Sequence, residues 1–320
     1  KGRGGLGTIE NVAAGNYRQN DLSTETNGLT TDRHVIVVGA TDNHGAVSYY
    51  SNPGASLLVV APSSGNTGGV VTDDITGAPG YSAGDYTDTF GGTSAATPQV
   101  TGITADILQA NPNLGWRDVQ DILAITARHT GSAINSSPQG YESDSWSFNN
   151  AANWNGGGMH FSNDYGFGLV DARAAVALAQ TWNLLSGPAH TSANEQSATQ
   201  NVTGQWDVGH GHVTTINFTL DEHLSVESVV LDLNDLNVSD ANHLTIDLLS
   251  PSGTTCTLLD CNGFSNSVVT GGWELMSRQF NSEDAYGVWT VRITDTDTSD
   301  TGSLSSVTLN AYGSSAADNS

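Results

Sequence analysis

The spacing of apolar residues divides the chain in two. Up to about residue 185, unbroken apolar runs alternate with segments whose apolar residues recur every three or four positions. Residues 7–14, 34–40 and 57–62 read as short strands. The latter two lack polar alternation and so belong in a sheet buried on both faces. Val100, Ile103, Ile107 and Leu108 mark one face of a helix ending near Ala110. A second helix is predicted over residues 116–127, with Gly115 as N-cap and Asp118 where a capping-box acid stands. An alanine-rich third covers residues 171–182. Val70 and Val71 open a hairpin in the Gly-, Thr- and Asp-rich residues 65–90, and residues 129–159 are irregular. Strands alternating with helices predict an α/β domain with a mainly parallel sheet.

The period then changes. Residues 186–200 hold few large apolar side chains and read as a linker. Beyond them apolar and polar residues alternate, and strands are predicted at 213–220, 226–233, 244–249, 255–259, 288–294 and 305–311. Turn signals such as Ser250-Pro251-Ser252-Gly253 separate them, which predicts a β-sandwich. The expected organisation is an α/β domain over 1–185, a linker over 186–200, a sandwich over 201–313 and a polar tail over 314–320.

Composition narrows the partners. The 320 residues include 33 acidic and 9 basic ones, for a formal net charge of -24. Such a surface repels nucleic acid and anionic membrane, so neither is expected as a partner. No apolar run reaches membrane-spanning length. Two cysteines exclude a disulfide scaffold. Cys256 in mid-strand would lie too far from Cys261 to bridge, whereas a turn at Asp260 would close the pair; free thiols are favoured. The chain opens mid-pattern at Lys1-Gly2-Arg3-Gly4-Gly5 without Met, and its N-terminus is read as cut.

The stretch with the most chemistry is Gly91-Gly92-Thr93-Ser94-Ala95-Ala96-Thr97-Pro98. Two glycines permit a tight turn and a close backbone approach. Ser94 then falls in the first helical turn, where free N–H groups and the helix dipole favour developing negative charge. A Gly-Thr-Ser tripeptide alone is more often only an N-cap. The eight residues together resemble the serine motif of the subtilisin-like proteases, G-T-S-A-(A/M)-x-P. Ala13-Ala14-Gly15-Asn16 resembles the oxyanion asparagine segment of the kexin and furin branch. Residues 110–120 resemble the helix that follows its serine helix, and Tyr165-Gly166-Phe167-Gly168-Leu169-Val170-Asp171-Ala172 the end of its catalytic domain. Residues 248–254 and 287–291 are similar to two signatures of its P domain.

The resemblance implies the C-terminal part of a subtilisin-like parallel-sheet domain followed by an eight-stranded jelly-roll P domain. It assigns Ser94 as nucleophile and Asn16 as oxyanion donor beside the Ser94 backbone N–H. The family's base and its orienting acid lie in H-G-T-x-x-A-G and D-(D/S/T)-G motifs, and neither occurs here. His34 begins a strand, His44 lies in a turn, His129 follows a helix and His160 precedes Tyr165. The catalytic Asp and His are therefore expected upstream, in a missing N-terminal half. Its loss should open the edges of the 35–38 and 57–60 runs to water.

For the substrate pocket, the family's acidic positions align with Leu22, Asn27 and Gly68, none of them acidic. That speaks against a demand for Arg or Lys before the scissile bond. Asp21 and Glu25 are the counter-evidence, since a one-residue shift places Asp21 where Leu22 aligns. Asp232, Asp235, Asp240 and Asp247, and separately Asp295, Asp297 and Asp300, offer oxygens for structural calcium; the plainer alternative is a solvated acidic loop. The leading expectation is a secreted serine endopeptidase that cleaves protein or peptide substrates through an acyl-enzyme on Ser94. The alternative is a non-enzymatic secreted module whose P domain binds a protein or glycan.

Overall fold

A computed structural model describes residues 2–65, 68–152, 157–260 and 268–315. Strands β1 (Glu10–Ala13), β2 (Val35–Thr41) and β3 (Leu57–Pro62) form a parallel sheet in the order β1-β2-β3. All seven residues of β2 are buried, because both faces are covered. Ile36, Val38, Leu58 and Val59 join one core with residues of three helices, while Val35, Val37 and Leu57 pack in another with Ala14. A hairpin of β4 (Val70–Asp73) and β5 (Tyr86–Phe90) leads into α1 (Thr93–Ala110); α2 (Trp116–Thr126) follows. Gly115 N donates to Asp118 Oδ2 at 2.7 Å, the capping contact read from the sequence. A two-residue pair, β6 (Ser147–Phe148) with β7 (His160–Phe161), precedes α3 (Ala172–Ser186), whose N-cap Asp171 accepts from Ala174 N.

One expectation is corrected here. The runs at 35–38 and 57–60 are not open edges. β2 is central, and β3 is covered by the chain before α3: Val60 N donates to Gly168 O at 2.9 Å and Val170 N to Val60 O at 3.0 Å. Gly166 permits this approach, since a Cβ there would come 2.4 Å from Leu58 O. The open edge is β1, whose residues are only partly buried or exposed.

The second part holds eight strands: β8 (Gln196–Asp207), β9 (Val213–Leu220), β10 (Leu224–Val238), β11 (Leu244–Leu249), β12 (Thr255–Asp260), β13 (Val269–Ser277), β14 (Gly287–Asp295) and β15 (Gly302–Ser315). They form two four-stranded antiparallel sheets, β13-β10-β15-β8 and β12-β11-β14-β9, around one apolar core. Two strands escape the alternation pattern. β8 lies at a sheet edge and turns only Ala198, Val202 and Trp206 toward the core. β13 carries Gly271 and Gly272 near its start, at a break in its register with β10. Ser314 and Ser315 end β15, whereas Cys261, half of the cysteine question, lies outside the described residues.

Polar side chains tie the two parts together. Arg117, wholly buried, donates Nε to Glu227 Oε2 at 2.6 Å and Nη2 to Glu227 Oε1. Asn149 Nδ2 donates to the carbonyls of Gln279 and Asn281, each at 2.8 Å. Glu25, in a one-turn 3-10 helix over Thr24–Thr26, accepts from Met276 N at 2.8 Å.

Candidate active site

The serine motif opens α1 as its sequence predicts. Ser94 is exposed while Thr93, Ala95 and Ala96 are buried, so the hydroxyl faces solvent from an anchored helical turn. Pro98 has no N–H for the Ser94 carbonyl and interrupts the helical ladder one turn on. The preceding turn requires its glycines. A Cβ on Gly91 would lie 1.9 Å from Ser64 Oγ, and Gly92 holds φ 81°. Gly92 is clamped from both sides: its N–H donates to Tyr50 Oη at 3.0 Å, and its carbonyl accepts from Ser63 Oγ at 2.7 Å.

Asn16 is brought to the same place from the end of β1. Its Oδ1 accepts from Thr93 N at 2.8 Å and from Thr93 Oγ1 at 2.9 Å, and Gly15 N donates to Thr93 Oγ1 at 3.2 Å. With the amide oxygen committed to Thr93, the Nδ2 protons are the free donors of Asn16. The first helical N–H groups of α1 add backbone donors. The chain can thus present a hydroxyl and two kinds of N–H donor on one surface. Sequence reasoning missed Tyr50, Ser63 and the Thr93 side chain as the clamp. Their one signal is that Thr93 lies inside the serine motif; Tyr50 and Ser63 carry none.

All nine histidines are engaged away from Ser94. His34 meets Asp32 at 2.7 Å, His44 meets Asp42 at 4.0 Å, and His129 Nε2 contacts Ser132 O at 2.7 Å. His160 lies against Trp146 with the rings tilted and their centroids 5.3 Å apart, and His190 faces Asp118. His210 and His212 face Asp207, His223 pairs with Asp284 and His243 with Asp300.

The four expected pocket residues separate into two groups. Asp21 and Leu22 line a cleft of about 230 Å³ with Arg18, Asp144, Asn163 and, from β12, Thr257, Leu258 and Asp260. Arg18 is held by Asp164 at 2.6 Å, and burial pushes Asp144 up to about 6. Asn27 and Gly68 are not among its lining residues. Asn27 Oδ1 accepts from Leu29 N in an exposed turn, and Gly68 O accepts from Gly65 N. Glu25 is 1% exposed and takes hydrogen bonds from Ser56 N and Thr24 Oγ1, each at 3.1 Å, besides Met276 N. It is a strut between the two parts and is not among the residues lining the cleft.

Burial raises the Glu25 carboxyl from 4.5 to about 7, against the hydrogen bonds that lower it. The folded state therefore keeps a proton that the unfolded state loses between those values. The Glu25 contribution to stability is fullest below 4.5 and is lost as the pH rises through about 7. Urea unfolding across this range should show that slope, and Glu25→Gln should flatten it; an unchanged slope would remove Glu25 as its source.

The four aspartates considered for calcium do not converge. Asp247 accepts from Arg292 Nη2 at 2.5 Å, Asp232 from Asn310 Nδ2 at 2.9 Å and Asp235 from Ser305 Oγ at 2.6 Å. Asp240 alone joins a group. Among the described residues two sets could hold a metal ion, Asp121–His190–Glu227 and Asp240–His243–Asp300. No helix among them is long and apolar enough to cross a membrane.

The Subtilase family profile matches residues 1–168, and the Proprotein convertase P-domain profile matches residues 226–311. Furin of Rattus norvegicus is 30% identical over 325 residues, covering 98% of this chain and 37% of that protein. Proprotein convertase subtilisin/kexin type 4 of Homo sapiens is 32% identical over 315 residues, covering 98% of this chain and 39% of its own length. The chain thus spans well under half the length of these relatives. The crystal structure of a serine protease of Aeromonas sobria shares the fold, with a TM-score of 0.78 at 22% identity over 97% of this chain and 65% of that one. With the family profile matching residues 1–168 and the serine motif seated at the start of α1, the chain belongs to the subtilase family of serine proteases and carries a proprotein convertase P-domain.

Proposed function

We propose that the chain is the serine-bearing part of a secreted endopeptidase. The observation that carries this reading is the fixing of Asn16 beside Ser94 through Thr93. Ser94 Oγ attacks the scissile carbonyl carbon and gives its proton to a histidine base. That histidine, with its orienting aspartate, is supplied by the part of the catalytic domain outside this chain. The carbonyl oxygen becomes an oxyanion, which receives N–H bonds from Asn16 Nδ2 and the Ser94 backbone. The C–N bond then breaks, the amine leaves with the proton, and the acyl-enzyme on Ser94 is hydrolysed by water.

The structural calcium expected from the density of aspartates fits neither metal-competent set well. Both include an imidazole, whereas calcium takes six to eight oxygens. No step is assigned to it.

A serine-directed fluorophosphonate tests the reading. The chain alone is expected to remain unlabelled, because Ser94 without a base is a poor nucleophile near neutral pH. Addition of the Asp- and His-bearing segment should bring stoichiometric labelling, absent in Ser94→Ala. Labelling elsewhere than Ser94, or none in the completed enzyme, would overturn the proposal.

Substrate preference should follow from Asp21 and Leu22, which line the cleft, rather than from Asn27 and Gly68, which do not. Glu25 is committed to Met276 and Ser56, so of the two acids considered for the pocket Asp21 is the exposed one. We expect kcat/KM on paired peptides to favour Arg over Leu before the cleaved bond by less than about a hundredfold, roughly 2.7 kcal/mol. A larger preference would make Asp21 the first residue to substitute.

A further inference from the structure

Three donors from distant segments converge where the two parts of the chain meet. Asp121 stands on α2, His190 on the connection from α3 to β8, and Glu227 on β10. One ligand atom of each lies within 4.8 Å of the others. His190 is 7% exposed, and its Nδ1 is buried without a hydrogen bond. That nitrogen points into a group of carboxylates, 3.4 Å from Asp118 Oδ1 and 3.9 Å from Asp121 Oδ2. Leaving a buried polar atom unbonded costs free energy, so the arrangement calls for a partner.

Asp118 Oδ1, 3.4 Å away, makes an ion-pair contact with that nitrogen but no hydrogen bond. Its carboxylate already accepts from Gly115 N, Trp182 Nε1 and His190 N. Glu227 has room. Its Oε1 accepts from Arg117 Nη2 and Ser314 Oγ, but Oε2 accepts only from Arg117 Nε. A carboxylate oxygen offers two lone-pair sites, so Oε2 keeps one. Of the three carboxylates Asp118, Asp121 and Glu227, Glu227 is the one directly bonded to a guanidinium, that of Arg117. The next cation, Arg278, gives its Nη groups to Gln120 Oε1 and to main-chain carbonyls.

We propose that Asp121, His190 and Glu227 bind a divalent transition cation of the zinc class, which pins α2 and the inter-domain connection to β10. One imidazole nitrogen with two carboxylate oxygens suits zinc, with water completing four-coordination. Arg117 and Ser314 fix the Glu227 orientation, as outer partners of metal ligands do. The second set, Asp240–His243–Asp300, lacks the distinguishing feature. His243 Nδ1 is already bonded to Asp300 Oδ2 at 2.7 Å, and its side chain is 31% exposed.

The test is titration of the chelator-stripped 320-residue chain with cobalt(II), followed by its visible absorption, with zinc(II) as competitor and thermal unfolding in parallel. The wild-type chain should bind cobalt, release it to zinc, and melt at a higher temperature with metal. His190→Gln and Asp121→Asn should bind at least roughly a hundredfold more weakly, since loss of outer partners alone costs about 10–100-fold. Neither should gain thermal stability from metal. Their metal-free melting reports that they fold, and Glu227 is left unchanged because its loss strands Arg117. His243→Gln should bind like the wild type. The proposal is overturned if the wild-type chain gives no cobalt absorption, or if His190→Gln and Asp121→Asn bind as tightly as the wild type.

Discussion

Asn16→Ala, made in the enzyme completed by its Asp- and His-bearing segment, is expected to lower kcat by about 10²–10³-fold with little change in KM. That magnitude is the measured cost of one oxyanion donor in subtilisin, itself a subtilase, and is not calculated from this structure. The direction follows from the geometry here. Asn16 Oδ1 is held by Thr93 N and Thr93 Oγ1, so the Nδ2 group is kept in one orientation and donates without reorganising. A donor used only as charge develops on the carbonyl oxygen lowers kcat when lost, whereas a general binding contact would raise KM. Thr93→Val separates the roles. It keeps the bulk but removes the Oγ1 bonds to Asn16 and Gly15, and should lower kcat by a smaller factor. A full rate in Asn16→Ala would show that the oxyanion is stabilised elsewhere.

Glu227→Ala is expected to destabilise the chain by about 3–5 kcal/mol, because it leaves the Arg117 guanidinium buried without its counter-ion. Arg117 is 0% exposed, and both carboxylate oxygens of Glu227 face it. Its other acceptors, Thr191 O at 3.1 Å, Asn194 Oδ1 at 3.4 Å and Ser314 Oγ at 2.5 Å, are neutral. Denaturant unfolding measures the loss, and limited proteolysis should show cleavage first in the connection near residue 190. Arg117→Met with Glu227→Met provides the control. Replacing both charges by apolar groups of similar volume should recover most of the loss, because a buried pair contributes little net stability beyond its own desolvation. Equal losses in the single and double variants would mean that packing, not the stranded charge, sets the effect.

These two predictions differ in how far the chain alone foretells them. The serine motif is contiguous, and its helix, its glycine turn and the exposure of Ser94 follow from local preferences. The same holds for β2 and β3, whose runs without alternation demand a sheet covered on both faces. It holds for the three helices and for the Asp118 cap. Family membership was readable for the same reason, since its motifs are short stretches in fixed order.

Periodicity says nothing about which polar residues meet. Asn16 and Thr93 are 77 positions apart, Arg117 and Glu227 are 110 apart, and Glu25 and Met276 are 251 apart. A loop glutamate such as Glu25 carries no local mark of being wholly buried, because its burial is decided by the β13 backbone that packs over it. β8 and β13 were hidden because an edge strand and a glycine-bearing strand need few apolar residues. The convergence of Asp121, His190 and Glu227 depends on how one domain docks on the other. Local pattern thus decides which face each element buries, whereas the pairing of charges across the junction exists only once both domains have folded together.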